Sequence, residues 1–82
     1  MATEVTVYTR EDCSLCEDVL ETIDRVGREV DLAVEVVDVD ADPDLRAEYG
    51  ERVPYVFVDG RPSFKFRVDE REFRAAVERA RE

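Results

Sequence analysis

Cys13 and Cys16 are the residues whose type and spacing could do chemistry, in the stretch Cys13-Ser14-Leu15-Cys16. Residues three apart at a helix start lie on one side, roughly 5–6 Å from each other. That matches the Cα separation an unstrained disulfide prefers. A bond between them would close a very small loop and restrain the unfolded chain little. The pair therefore suits redox or metal chemistry better than stapling. A thiol at a helix N-terminus meets free backbone N–H groups and the positive end of the dipole, both favouring a thiolate. Cys13 is the candidate nucleophile. Cys16 falls on the helical face of Val19, Leu20 and Ile23 and should be more buried. Burial suits a resolving thiol, which attacks the mixed disulfide and releases the reduced partner. Nearby charges act in opposite directions. Arg10 could stabilise the Cys13 thiolate, whereas Glu11, Asp12, Glu17 and Asp18 disfavour a further negative charge.

Other uses of two cysteines can be weighed against this one. The chain has no His, so a Cys-His nucleophilic mechanism lacks its base. Two thiolates make half of a tetrahedral zinc set, and no second CxxC or His completes it. A dimer could still share cysteine ligands around zinc or an iron–sulfur cluster. Two inert core thiols are the remaining alternative. A CxxC between a strand and a helix favours the redox use.

The elements that must position the pair are legible along the chain. Residues 4–9 (Glu-Val-Thr-Val-Tyr-Thr) alternate and are β-branched, which predicts a strand. From Ser14 the period becomes helical, with Leu15, Val19, Ile23 and Val26 on one face and Gly27 near the end. Residues 32–39 predict a second strand, apolar enough to be largely buried. A short helix follows, capped by Asp42, begun by Pro43 and left at Gly50, with Leu45 and Tyr49 on its buried side. Residues 54–58 predict a third strand, and Asp59-Gly60 a hairpin turn. The next strand alternates Phe64, Phe66 and Val68 against Ser63, Lys65 and Arg67, so one face should be wet. Asp69 and Glu72 resemble a capping box for a last helix that buries Phe73, Ala76, Val77 and Ala80. The order β-α-β-α-β-β-α predicts a mixed four-stranded α/β sheet: a parallel crossover first, an antiparallel hairpin later.

Composition bounds the rest. With 82 residues, 44% of them apolar, the chain is expected to form one domain over 1–82 with a thin core, about 60–65% of its unfolded surface being buried. No apolar run approaches the ~18 residues that span a bilayer, and residues 1–7 lack the basic flank of a secretory signal. A cytoplasmic monomer without membrane contact is the expectation. There are 22 acidic and 12 basic residues, a net charge of −10, and Lys65 is the only Lys. Such a balance argues against nucleic acid, whose binding rests on neutralising phosphates. It fits a strongly hydrated surface, as in an organism with a salty interior; attraction to a basic partner is the alternative.

Taken together, Val-Tyr-Thr-Arg-Glu-Asp-Cys-Ser-Leu-Cys at 7–16, Val53-Pro54, and Val-Phe-Val-Asp-Gly at 56–60 resemble the glutaredoxin branch of the thioredoxin superfamily. The closest likeness is to small glutaredoxin-like domains of poorly defined substrate. The resemblance covers essentially the whole chain and implies a thioredoxin fold and a thiol-disulfide oxidoreductase, an electron carrier acting on protein or small-molecule disulfides. It implies that the Val53-Pro54 bond is cis and faces the CxxC, that the Val53 backbone pairs with the disulfide substrate, and that Arg10 occupies a basic position near the active site. The plainer alternatives are a Pro54 that merely starts a strand and a solvated Arg10. No bound cofactor is implied; glutathione, another low-molecular-weight thiol or a thioredoxin-reductase-like flavoprotein would return electrons. Two features depart from the family pattern. Ser14-Leu15 stands where Pro-Tyr is usual, and Phe64-Lys65-Phe66-Arg67 replaces the Gly-Gly turn that binds the γ-glutamyl end of glutathione. Asp69 could replace the acidic contact, at a different spacing. The resemblance carries redox chemistry further than it carries glutathione recognition. A non-enzymatic binding module, or a dimer-shared metal site on the same cysteines, is the alternative function.

Overall fold

Alternating valines begin the fold. In the computed structural model, which describes residues 2–80, they lie on β1 (Thr3–Thr9) with every second side chain buried. There follow α1 (Ser14–Gly27), β2 (Leu32–Asp38), a single 3₁₀ turn (Val39–Ala41), α2 (Pro43–Tyr49), β3 (Tyr55–Val58), β4 (Arg61–Lys65) and α3 (Glu70–Ala80). The sheet order is β2-β1-β3-β4. β1 and β2 run parallel, while β3 is antiparallel to both β1 and β4. This is the mixed α/β architecture expected from the element order.

Each helix starts where its local chemistry says it should. Asp42 Oδ1 accepts from Asp44 N at 2.8 Å, and Pro43 occupies the first turn of α2. Asp69 Oδ1 accepts from the N–H groups of Arg71 and Glu72, at 2.9 and 3.1 Å, which caps α3. The hairpin between β3 and β4 turns on Asp59 (φ 54°) and Gly60 (φ 76°), the pair of left-handed residues that matches strand twist.

The core lies on one side of the sheet. Val5, Val7, Val56 and Val58 face Val19, Ile23 and Val26 of α1 and Phe73 and Val77 of α3, all buried. Phe73 meets Phe64 edge-on at 6.0 Å. On the opposite face Tyr8 stacks on Tyr49 of α2 at 4.4 Å, with Tyr55 and Phe57 packed around them. Leu45 and Tyr49 are half-buried, so α2 covers its end of the sheet only partly. Ala76 and Ala80 lie at the margin of the α3 contact rather than inside it.

Three expectations are corrected. β2 is not largely buried: it is an edge strand, leaving Val34 43% and Val36 53% exposed. Its apolar composition could not reveal which strand would lack an outer neighbour. Phe66 does not extend the core face of β4, because the strand stops at Lys65 and Phe66 takes φ 70°. Leu15 has the helical phase of the core stripe, yet it is 42% exposed because residues 66–68 leave an open groove beside it.

Candidate active site

β1 delivers the chain to the end of the sheet at Thr9, and α1 begins five residues later. Between them Asp12 turns in the left-handed region, φ 56°, a conformation that Asp tolerates better than most residues. Cys13 is the N-cap of α1, with extended backbone, and its Sγ accepts from Cys16 N at 3.2 Å. Cys13 and Cys16 form a disulfide with a Cα separation of 5.2 Å. Cys13 is half-buried, whereas Cys16 is 3% exposed and sits on the core side of α1. The predicted asymmetry between an accessible and a buried sulfur is present. The N-cap position gives Cys13 Sγ a backbone donor in addition to the helix dipole, and both stabilise negative charge there.

Pro54 lies at the same end of the sheet. The register Tyr8↔Tyr55 puts residues 53–54 opposite the chain that leaves β1 for the cysteines. The Val53–Pro54 peptide is cis, and Pro54 is buried. Phe66 N donates to Pro54 O at 2.7 Å. Val53 is half-buried, and among the described residues neither its N–H nor its C=O has a hydrogen-bond partner.

Arg10 is committed to other partners. Its Nε reaches both Asp40 carboxylate oxygens at 3.2 Å, and its Nη1 donates to Gly50 O at 3.1 Å. Arg46 approaches the same carboxylate at 3.7 Å. Arg10 thus ties the exit of β1 to the 3₁₀ turn and to the end of α2. Partners thirty and forty residues away leave no local sequence signal. Glu11, Asp12, Glu17 and Asp18 are exposed around the disulfide. On the far face of the sheet, the Tyr49 phenol is pushed above the usual Tyr value of 10.0, first by burial and then by the Glu48 charge.

Two side chains beside the pair escaped the sequence reading, Leu15 and Phe66, each 42% exposed. Helical period placed Leu15 in the core, and strand alternation placed Phe66 there. An unbroken Phe64, Phe66, Val68 pattern carries no warning that the strand ends between its members.

A cysteine pair at the strand-to-helix junction, on this sheet and beside a cis proline, defines a glutaredoxin-like domain of the thioredoxin superfamily. Residues 4–78 match the family model of the Glutaredoxin-like domain (DUF836), and the chain belongs to that family. It is 35% identical, over 94% of its length and 84% of the relative's, to the uncharacterized protein Mb0520 of Mycobacterium bovis. Among solved structures it resembles the structural genomics target XcR50 from X. campestris. That likeness has a TM-score of 0.76 and 32% identity, covering 92% of this chain and 96% of the other. A mutant thioredoxin from Halobacterium salinarum aligns with a TM-score of 0.71 and 25% identity, over 98% of this chain and 75% of that one. No helix among the described residues is long and apolar enough to cross a membrane.

Proposed function

We propose that this domain is a thiol-disulfide oxidoreductase that passes two electrons from the Cys13–Cys16 dithiol to disulfide substrates. The observation that carries the reading is the pair itself: Cys13 Sγ at the N-cap of α1, accepting from Cys16 N, and bonded to a Cys16 buried beneath it. In the reduced protein the Cys13 thiolate attacks one sulfur of a substrate disulfide. A mixed disulfide forms, and the other substrate sulfur leaves as a thiolate that takes a proton from water. Cys16, losing its proton to solvent, attacks Cys13 Sγ, closes the internal disulfide and expels the second substrate thiolate. The substrate gains two electrons and the protein dithiol loses two.

The unpartnered Val53 N–H and C=O would pair with the substrate backbone in strand fashion, with Pro54 shaping that edge. Arg10, held by Asp40 and Gly50, would act by fixing the loop that presents Cys13. Glutathione, another low-molecular-weight thiol or a thioredoxin-reductase-like flavoprotein would restore the dithiol. The thioredoxin among the structural neighbours adds weight to a redox use of this fold.

The test is substitution of each cysteine in turn. Cys13→Ser should abolish disulfide reduction, and Cys16→Ser should accumulate mixed disulfides on Cys13, seen by mass spectrometry under non-reducing conditions. Full turnover by the Cys13→Ser protein would refute the assignment.

A further inference from the structure

Phe66 is held away from the core by its backbone. At φ 70° it centres a three-residue turn in which Arg67 N donates to Lys65 O at 2.8 Å. This hand of γ-turn is rare and strained, and a large side chain at positive φ is disfavoured on any backbone. The turn is anchored by the bond from Phe66 N to Pro54 O, next to the unpartnered Val53 edge. Phe64 before it and Val68 after it pack against the core, while the Phe66 ring is 42% exposed. Strain that leaves an aromatic ring in water next to the Val53–Pro54 edge points to use rather than to stability.

Across from Phe66 stands Leu15, between the two cysteines in sequence and equally exposed. The two share a groove of about 280 Å³ with Val19 and Val68 and with the more polar Asp18, Thr22 and Arg67. Charge on this surface is uneven. Glu11, Asp12, Glu17 and Asp18 are all exposed, and none joins an ion pair among the described residues. Of the nearby cations, Arg10 is neutralised by Asp40, and Lys65 lies 5.7 and 5.8 Å from the ring centres of Tyr55 and Phe66. Arg67 on the groove and Lys65 beside the Phe66 ring are the two cations set against these four acids, which leaves the surface net negative.

We infer that the Leu15–Phe66 groove selects disulfide-bearing polypeptides with an apolar side chain and positive charge beside their cysteine, with Phe66 as the specificity-determining residue. The inference rests on the dithiol reading above and names its substrate class. An apolar groove needs an apolar side chain to fill it. An unpaired strand edge needs a peptide backbone. Four unpaired carboxylates favour a cation and repel an anion. The disulfide of glutathione is anionic and short of apolar surface, so it meets none of the first and opposes the last.

The experiment compares reduced wild-type protein with Phe66→Asn, since Asn tolerates positive φ better than Phe does; circular dichroism confirms that the variant is folded. Four disulfide substrates are used: a peptide with Phe and Lys beside its cysteine, the same peptide with Glu for Lys, glutathione disulfide, and the small neutral bis(2-hydroxyethyl) disulfide. Wild-type kcat/KM should be greatest for the Phe/Lys peptide. Phe66→Asn should lower that value about tenfold, as expected for losing part of a buried Phe contact, and change turnover of the neutral disulfide by less than about twofold. Raising salt from about 0.05 to 0.5 M should slow the Lys peptide and speed the Glu peptide. Normal turnover of the neutral disulfide with no preference between the peptides, or no effect of Phe66→Asn on them, would overturn this inference alone. A preference for glutathione disulfide would likewise overturn it and assign a small-thiol substrate. Failure to reduce any of the four would overturn the dithiol reading and this one together.

Discussion

Removing the N-cap acceptor separates what Cys13 does for the helix from what it does for chemistry. Cys13 Sγ accepts from Cys16 N at 3.2 Å, at the start of a fourteen-residue α1. Cys13→Ala leaves that N–H without its side-chain acceptor, while Cys13→Ser offers a hydroxyl oxygen at nearly the same place. Ser is among the best N-caps, and loss of such a cap to Ala costs about 1 kcal/mol within a range of about 0.5–2. In a domain of this size, 1 kcal/mol moves the melting midpoint by about 4–8 °C. Both variants lack the disulfide, so their difference is free of any contribution from loop closure. Thermal and urea unfolding followed by circular dichroism, in the presence of a phosphine reductant, should place Cys13→Ala below Cys13→Ser by that amount. Turnover of bis(2-hydroxyethyl) disulfide should be absent from both. Equal stability would show that the sulfur does not cap α1, removing the backbone donor from the argument for its thiolate. Turnover by either variant would remove Cys13 as nucleophile.

Two further outcomes follow from the packing and from Tyr49. Phe73→Ala empties a fully buried site against Phe64 and should cost about 3–5 kcal/mol, a large part of the roughly 4–12 kcal/mol available to a chain of this length. Val36→Ala on the exposed edge strand should cost under about 1 kcal/mol, and urea titration of both variants checks the contrast. The raised Tyr49 value means that the folded state holds its proton more tightly than the unfolded state does. Stability from this group is full below pH 10.0 and is lost as pH rises through the higher folded value. Tyr49→Phe should flatten the decline in urea midpoint above pH 10, and an unchanged decline would show that Tyr49 is not its source.

What could be read from the sequence was whatever a few neighbouring residues decide among themselves. The alternation of Val5 and Val7, the caps at Asp42 and Asp69, the Asp59-Gly60 turn and the CxxC before a helical period are all short-range features. Each appears in the structure where it was expected. The burial of Cys16 under Cys13 follows equally locally, from helical phase. Tertiary structure decided the rest, because it brings together residues that no local pattern relates. β2 is apolar, but only the sheet order makes it an edge. Arg10 is basic, but only the fold brings it Asp40 and Gly50, thirty and forty residues away. Phe66 continues an alternating strand in sequence. A hydrogen bond to Pro54 and a reversal of backbone hand put it in solvent on the same groove as Leu15. Short-range preferences determine which elements form and where the sulfurs sit. The competition among distant partners for a limited sheet and a small core determines which side chains remain outside to meet a substrate.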